Sequence, residues 1–485
     1  MPPLVERPSR VERLKSAYGG RLDLHISRSN SIRVLHLSGT PRQMGRQCGA
    51  LTGGMIEQVL AKSEAIFTGA GLPVDMLHRV VDRCWERLRP YAPGRYLDEI
   101  AGIAQGAQEH GAELTEHDLH RLVTMTNLDL YKREERFLEM LGPDAAEFLE
   151  HLGEVPALSC TMFAVWGSRT QDGKLYALRN LDWVSQAGIH EERLITVYQP
   201  EGRNSFVSMG YAGGVGCLAG MNERGIALSE VGAFSVREEL DGIPWVFMAR
   251  QVLEEANTLD DGVAIVRKAA HTLGYNYLVA DGDPENYDTP LYRPGAAALE
   301  TNHICCEVFS ENDPQEHAAT WCDVEGVEHS YGTPMTEAVL RADTAFGVET
   351  RALQAADNGP GEPENTGDPG GVGEGTSYTD CHLPMAAMIA AYASGSEYVF
   401  PVRGNIAIPA GAPKKIGPEE ALNIAATVAH NTEKLADNDW NVMSIVYAPT
   451  DLEFYAAWES EEEGRGWRNA PDTGYLHFSL RELID

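Results

Sequence analysis

The stretch SCTMFAVWGSRTQDGKLYALRNLDW, residues 159–183, holds a lone thiol, a guanidinium and a carboxylate within one predicted hairpin. Cys160 opens a run of β-branched and aromatic residues, and Asp172-Gly173 supplies the positive φ that a tight turn needs. GSRTQDG also fits a wider loop. Placing the hairpin centre anywhere within it puts the cross-strand partner of Cys160 between about residues 179 and 185. Arg179, Asn180 and Asp182 lie in that bracket.

Such a cluster suits nucleophilic chemistry. The thiolate is the competent nucleophile, and a nearby cation lowers a thiol pKa from about 8.5. If the bond before Cys160 is cut, the new α-amine, with a pKa near 8, can act as base for its own thiol. Asp182 would then hold that amine. Residues 179 and 182 stand three apart, so an ideal strand sends them to opposite faces. Both serve Cys160 only near a strand end or at a bulge. The plainer alternative is a small buried hydrophobe beside a structural Arg–Asp pair.

Other residues were weighed in the same way. Trp166 and Trp183 either line an apolar pocket or pack the core. Asn276, in LGYNYLVADGD, either lines the pocket or makes a strand-end hydrogen bond. Asn222 and Glu223 read as a turn between two strands. His303, Cys305, Cys306, His317 and Cys322 lack a standard zinc spacing, and adjacent cysteines chelate poorly, so no metal site is expected. Gly213, Gly214 and Gly216 do not fit the dinucleotide fingerprint.

The elements around the hairpin divide the chain. Residues 1–159 read as a helical N-terminal segment after a short strand at IRVLHLSG. RQMGRQCGALTGGMIEQVLAKSEAIF and YLDEIAGIAQGAQEHGA have helical spacing, and Thr115 with Asp118 forms a capping box before the next helix. Residues 160–485 begin as a block of short strands, continue with helices over PWVFMARQVLEEANTLDDGVAIVRKAA, and close on a hairpin in MSIVYAPTDLEFYAAWE. The acidic, glycine-rich run 356–377 reads as a disordered insertion. Helices, hairpins, then both again predict an α+β fold of antiparallel sheets covered by helices.

Composition narrows the partners. The net charge of −33 repels nucleic acid and anionic membrane surfaces, and neither is expected as a partner. The N-terminus lacks an apolar signal-peptide core, and the longest uncharged stretch, 204–222, is too glycine-rich for a membrane span, so a cytoplasmic location is expected.

The motifs together resemble the N-terminal-nucleophile (Ntn) cysteine hydrolases, a group with isopenicillin N acyltransferase, choloylglycine hydrolase and acid ceramidase. The resemblance rests on the Cys-Thr strand, the Asp-Gly turn, RNLDW, GYAGGVGCLAGMNERGIALSE, ETNH at 300–303 and the closing hairpin. LSGTPRQMGRQCG and YLDEIAGIAQGA resemble the pro-segment of the acyltransferase branch.

It implies an αββα four-layer sandwich with 1–159 as pro-segment, and autocatalytic cleavage between Ser159 and Cys160. Cys160 would be the nucleophile, Arg179 and Asp182 its tuning groups, and Asn302 an oxyanion donor. The activity implied is hydrolysis of, or acyl transfer from, a small-molecule amide through a thioester, without a cofactor. An inactive binding module of the same fold and an uncleaved hydrolase are the alternatives. SEVGAF lacks the second Asn of the choloylglycine branch, which favours the acyltransferase-like branch. Arg341 and Arg351 are candidates for a further active-site arginine.

Overall fold

The computed structural model describes residues 3–69, 73–131, 159–184, 188, 190–233, 235–322, 327–354, 378–399, 406–429, 439–462 and 466–484. The expected insertion at 356–377 lies outside them. Four strands come first: β1 (Val5–Glu6), β2 (Arg10–Ala17), β3 (Gly20–Ile26) and β4 (Ser31–Gly39). Helices α1 (Pro41–Gly69), α2 (Val74–Leu88), α3 (Gly94–Glu109) and α4 (Glu116–Tyr131) follow. The next block holds β5 (Ser159–Val165), β6 (Tyr176–Val184), β7 (Arg193–Pro200), β8 (Phe206–Tyr211), β9 (Ala219–Asn222) and β10 (Ile226–Gly232).

Helices α5 (Trp245–Glu255) and α6 (Leu259–Lys268) lead into β11 (Tyr275–Asp281), β12 (Gly295–Thr301), β13 (Cys306–Phe309) and β14 (Ala338–Arg341). The last third carries α7 (Leu383–Ser394), α8 (Pro418–Ala429), β15 (Asp439–Ala448), β16 (Glu453–Trp458) and β17 (Tyr475–Ser479).

Two sheets stack. One has the order β1-β17-β16-β15-β6-β5-β14, the other β13-β12-β11-β10-β9-β8-β7-β4-β3-β2. Their inner faces meet where β5 and β6 approach β10 and where β12 approaches β14. Helix α8 covers β6 and β15, while α5 and α6 cover β9 to β12. The layers therefore run helix, sheet, sheet, helix, as the resemblance implied.

Alternation along β5 sets this layering. Cys160, Met162 and Ala164 join the apolar cluster between the sheets. Phe163 and Val165 join a second cluster with Met385, Ile389, Leu422 and Ala425 of α7 and α8. A strand apolar on both faces needs such cover on both sides.

The N-terminal segment departs from the helical expectation. Its first 39 residues carry four strands, and β4 runs parallel to β7 from Arg33↔Leu194 to Gly39↔Pro200. β1 pairs with β17, so this segment adds strands to both sheets. Sequence periodicity missed β2 because Arg10, Glu12, Arg13 and Lys15 leave no apolar face. It is an exposed edge strand whose charges discourage further pairing. Tyr18 and Gly19, at φ 53° and 90°, make the hairpin turn. The capping box at α4 is present: Thr115 N donates to Asp118 Oδ2 at 2.9 Å, and Asp118 N to Thr115 Oγ1 at 3.3 Å.

His36 in β4 is 6% exposed and neither ring nitrogen has a hydrogen-bond partner among the described residues. Burial first, then the charge of Arg21, lowers its pKa from 6.5 to about 4. The unfolded chain takes up a proton near 6.5 that the folded ring refuses until about 4, so the ring's contribution to stability falls as pH drops through that window. His36→Gln should therefore lose about 2 kcal/mol less stability than the parent between pH 7 and pH 5. Urea unfolding at both pH values checks this, and equal losses contradict it.

Candidate active site

Ten residues, 166–175, join β5 to β6, so the hairpin takes the wider loop, with Gly167 and Gly173 at φ 62° and 76°. The register pairs Cys160 with Leu181, Met162 with Arg179 and Ser159 with Asp182. Cys160 and Arg179 consequently share the face turned to the other sheet, one diagonal step apart. Asp182 lies on the neighbouring rung at the strand end. Opposite it, β15 shifts register between Asn441 and Met443, a bulge against Leu181-Asp182. Asp182 is thus near the end of β6, which closes at Val184, and the bulge is in the strand next to it.

Arg179 is fully buried. Nη2 donates to Glu230 Oε1 at 2.6 Å, Nη1 donates to the Asn180 carbonyl, and Nε has no hydrogen-bond partner among the described residues. Burial opposes its charge, but Cys160 and Glu230 together hold its pKa above the usual value. Burial pushes the Cys160 thiol up; Arg179 pulls it down, while Glu230, Asp343 and Asp182 push it further up. At 3% exposure in the uncut chain, the thiol is protonated and shielded. Asp182 Oδ1 accepts from Asn441 Nδ2 at 2.7 Å, which fixes the carboxylate beside the bulge.

Two acidic residues complete the surroundings. Glu230 sits in β10, and burial raises its carboxyl pKa against the pull of Arg179. A lone acid inside the apolar run IALSEVG was a legible signal, since a buried carboxylate needs a partner. Asp343, just after β14, accepts the Cys160 backbone N–H on Oδ1 at 3.2 Å. No local pattern points to it from 183 residues away.

Asn276 is an anchor and not an open pocket wall. It is fully buried, and its Nδ2 donates to the carbonyls of Ala342 and Thr344 at 2.8 and 3.1 Å, on either side of Asp343. Asn302 is 1% exposed, and its Oδ1 accepts from the N–H groups of Ile304 and Cys305, both at 3.0 Å. That closes a turn at the end of β12 and leaves Nδ2 as the donor end of the amide.

Trp166 stands six residues along from Cys160, about 20 Å at strand rise, which removes it from the thiol's surroundings. It packs in the inter-sheet core. Trp183 packs against Val442 at the bulge, on the Cys160 end of β6. Arg341 is occupied by Glu300 and Glu316 at 2.8 and 3.1 Å, and Arg351 donates to Gln354 Oε1 at 3.1 Å.

Asn222 Oδ1 accepts from the N–H groups of Arg224 and Ile226, making the expected turn. His303 Nδ1 pairs with the His271 carbonyl and His317 Nε2 with Asn312 Oδ1. Asp23, His25 and His36 form the one group close enough for a metal among the described residues. Arg13 and Arg21 already donate to Asp23, and their charge opposes a cation there.

Residues 168–308 match the sequence model of the family described as acyl-coenzyme A:6-aminopenicillanic acid acyl-transferase. The match covers less than a third of the chain. It contains Arg179, Asp182, Glu230, Asn276 and Asn302.

An uncharacterized protein of Archaeoglobus fulgidus is 26% identical over 259 residues, which is 52% of this chain and 42% of that protein. Among solved structures, the Caenorhabditis elegans N-acylethanolamine-hydrolyzing acid amidase ortholog aligns at TM-score 0.36 and 13% identity, over 60% of this chain and 93% of its own. A mutant conjugated bile acid hydrolase from Clostridium perfringens aligns at 0.35 and 12%, over 66% and 96%. Penicillin V acylase from Agrobacterium tumefaciens aligns at 0.32 and 12%, over 65% and 88%. Among the described residues, no helix is long and apolar enough to cross a membrane.

Removing Glu230 alone leaves a guanidinium buried without its counter-charge. Glu230→Leu should cost about 3–5 kcal/mol, and adding Arg179→Met should return most of it. Urea unfolding in a Cys160→Ala background measures both. A cost under about 1 kcal/mol for the single variant contradicts the pairing.

Proposed function

We propose that this chain is a cysteine amidase or acyltransferase that activates itself by cleavage between Ser159 and Cys160. The observation that carries the reading is the β5–β6 register, which sets the Cys160 thiol on one face with Arg179 and beside Asp182. The family match over 168–308 supports acyl transfer as the chemistry.

In maturation the Cys160 sulfur attacks the Ser159 carbonyl carbon, a C–S bond forms and the C–N bond breaks. The thiol proton ends on the released nitrogen, and water then hydrolyses the thioester. In turnover the α-amine takes the thiol proton, and Arg179, with its unused Nε–H, stabilises the thiolate. The thiolate accepts the acyl group of a small-molecule amide and releases the amine. Asn302 Nδ2 donates to the oxyanion, a contribution worth about 3–4 kcal/mol in other acyl-transfer enzymes. Water or a second amine then takes the acyl group. The N-terminal segment acts as the α-chain, held by β1 and β4 in the two sheets after the cut.

Cleavage of the 53.0 kDa chain into 159 and 326 of its 485 residues gives fragments of about 17 and 36 kDa, which should co-elute under native conditions. Cys160→Ala should remain intact and inactive against a panel of N-acyl amines. Denaturing mass spectrometry decides. A full-length parent indistinguishable from Cys160→Ala refutes self-activation, and activity without fragments assigns an uncleaved hydrolase.

A further inference from the structure

We infer that Asp343 is part of the maturation machinery: it holds the scissile amide in the uncut chain and becomes the counter-ion of the α-ammonium that cleavage creates. The inference rests on the reading of Ser159–Cys160 as the cleaved bond. Its starting observation is direct. The N–H of that amide donates to Asp343 Oδ1 at 3.2 Å, and Cys160 and Asp343 are both at least 97% buried, at 3% and 2% exposure.

The backbone around Asp343 is held from three sides. Asn276 in β11 donates to the carbonyls before and after it, at Ala342 and Thr344. Gln354 Nε2 donates to the Asp343 carbonyl at 2.6 Å, and Gln354 Oε1 accepts from the Ala345 N–H at 3.0 Å. Immediately upstream, Arg341 is locked between Glu300 and Glu316. Three elements thus fix a short segment whose one acidic side chain reaches the strand opening at Cys160. A carboxylate placed on an ordinary sheet N–H would be a costly substitute for a backbone carbonyl. At a bond about to yield an ammonium, the charge has a purpose.

The chemistry follows from balance. Attack of sulfur on the Ser159 carbonyl carbon forms a C–S bond, the C–N bond breaks, and the nitrogen receives the proton that the thiol gave up. The released nitrogen is then a neutral amine, which takes a further proton from water to become the ammonium at pH 7, and the same Asp343 oxygen accepts from it. The interaction is therefore stronger after the bond breaks than before, because an opposite charge now faces the carboxylate. In the mature protein the same pairing favours the charged amine, and the ammonium in turn favours the thiolate beside it.

The test compares Asp343→Asn and Asp343→Glu with the parent. Asp343→Asn keeps the shape and an acceptor oxygen but removes the charge, so cleavage at pH 7, followed by intact mass, should slow on the order of 10²-fold. Asp343→Glu should restore most of the rate. Folding is checked separately in a Cys160→Ala background, where Asp343→Asn should unfold within a few degrees of its parent.

A second readout isolates the ammonium. After prolonged maturation, the α-amine of Cys160 in Asp343→Asn should be acylated at pH 7 about ten-fold faster than in the parent, because losing the carboxylate lowers the amine pKa. If Asp343→Asn cleaves within about two-fold of the parent, or Asp343→Glu is as slow as Asp343→Asn, this role falls while the proposed function stands. An uncleaved parent overturns both.

Discussion

A guanidinium without access to water must find its compensation inside the protein, and Arg179 finds it in Glu230, whose Oε1 accepts from Nη2 at 2.6 Å. Glu230 neutralises the charge enough to bury it, while Nε–H has no hydrogen-bond partner among the described residues and so is free to face the sulfur in the proposed chemistry. The surrounding carboxylates, Asp182 and Asp343, raise the thiol pKa in the uncut chain. An ammonium at the same position would reverse their effect, by turning uncompensated negative charge into a balanced pair. On the proposed function, cleavage would therefore change the electrostatic balance of the site.

The sandwich exists around this arrangement as a set of distance constraints. β5 sits between β6 and β14, and faces β10 and β11 across the core. β6 gives Arg179, β10 gives Glu230, and Asn276 of β11 pins the segment that follows β14. Asp182 lies one rung beyond Cys160 near the end of β6, held by Asn441 at the bulge in β15. The helical layers bury the outer faces of the sheets and touch these groups through few contacts. One of them is the bond from Asn180 Nδ2 to the Ala425 carbonyl of α8 at 2.9 Å. The two chains that cleavage would produce share both sheets, because β1 and β4 lie in hydrogen-bonded ladders with strands from the C-terminal part.

The hairpin geometry was legible because it is local: turn signals bracket the register, and the register fixes faces. The alternation in CTMFAVW and the helical spacing of residues 41–69 were legible for the same reason. The N-terminal strands were not, since β2 has no buried face and its pairing is decided by β3 and β4. Asn276 was assigned only to a pocket or a strand end, because its partners lie 66 and 68 residues downstream. Asp343 was invisible, as nothing in RADT marks an aspartate whose partner is a backbone N–H in another strand. Trp166 looked close to Cys160 in sequence, but extended backbone separates residues faster than helix does.

Alkylation by iodoacetamide, mapped by peptide mass spectrometry before and after maturation, tests the central claim most directly. In the uncut chain Cys305 and Cys306, which are half-buried with thiols pushed up by burial to about 11 and 12, should still react ahead of the sheltered Cys160. After maturation the order should invert, with Cys160 labelled first at pH 7 and Cys48, Cys84 and Cys217 untouched. A Cys160 that stays unlabelled in the cut protein, or that is no faster there than in the intact chain, would contradict a thiol switched on by its own new amino terminus.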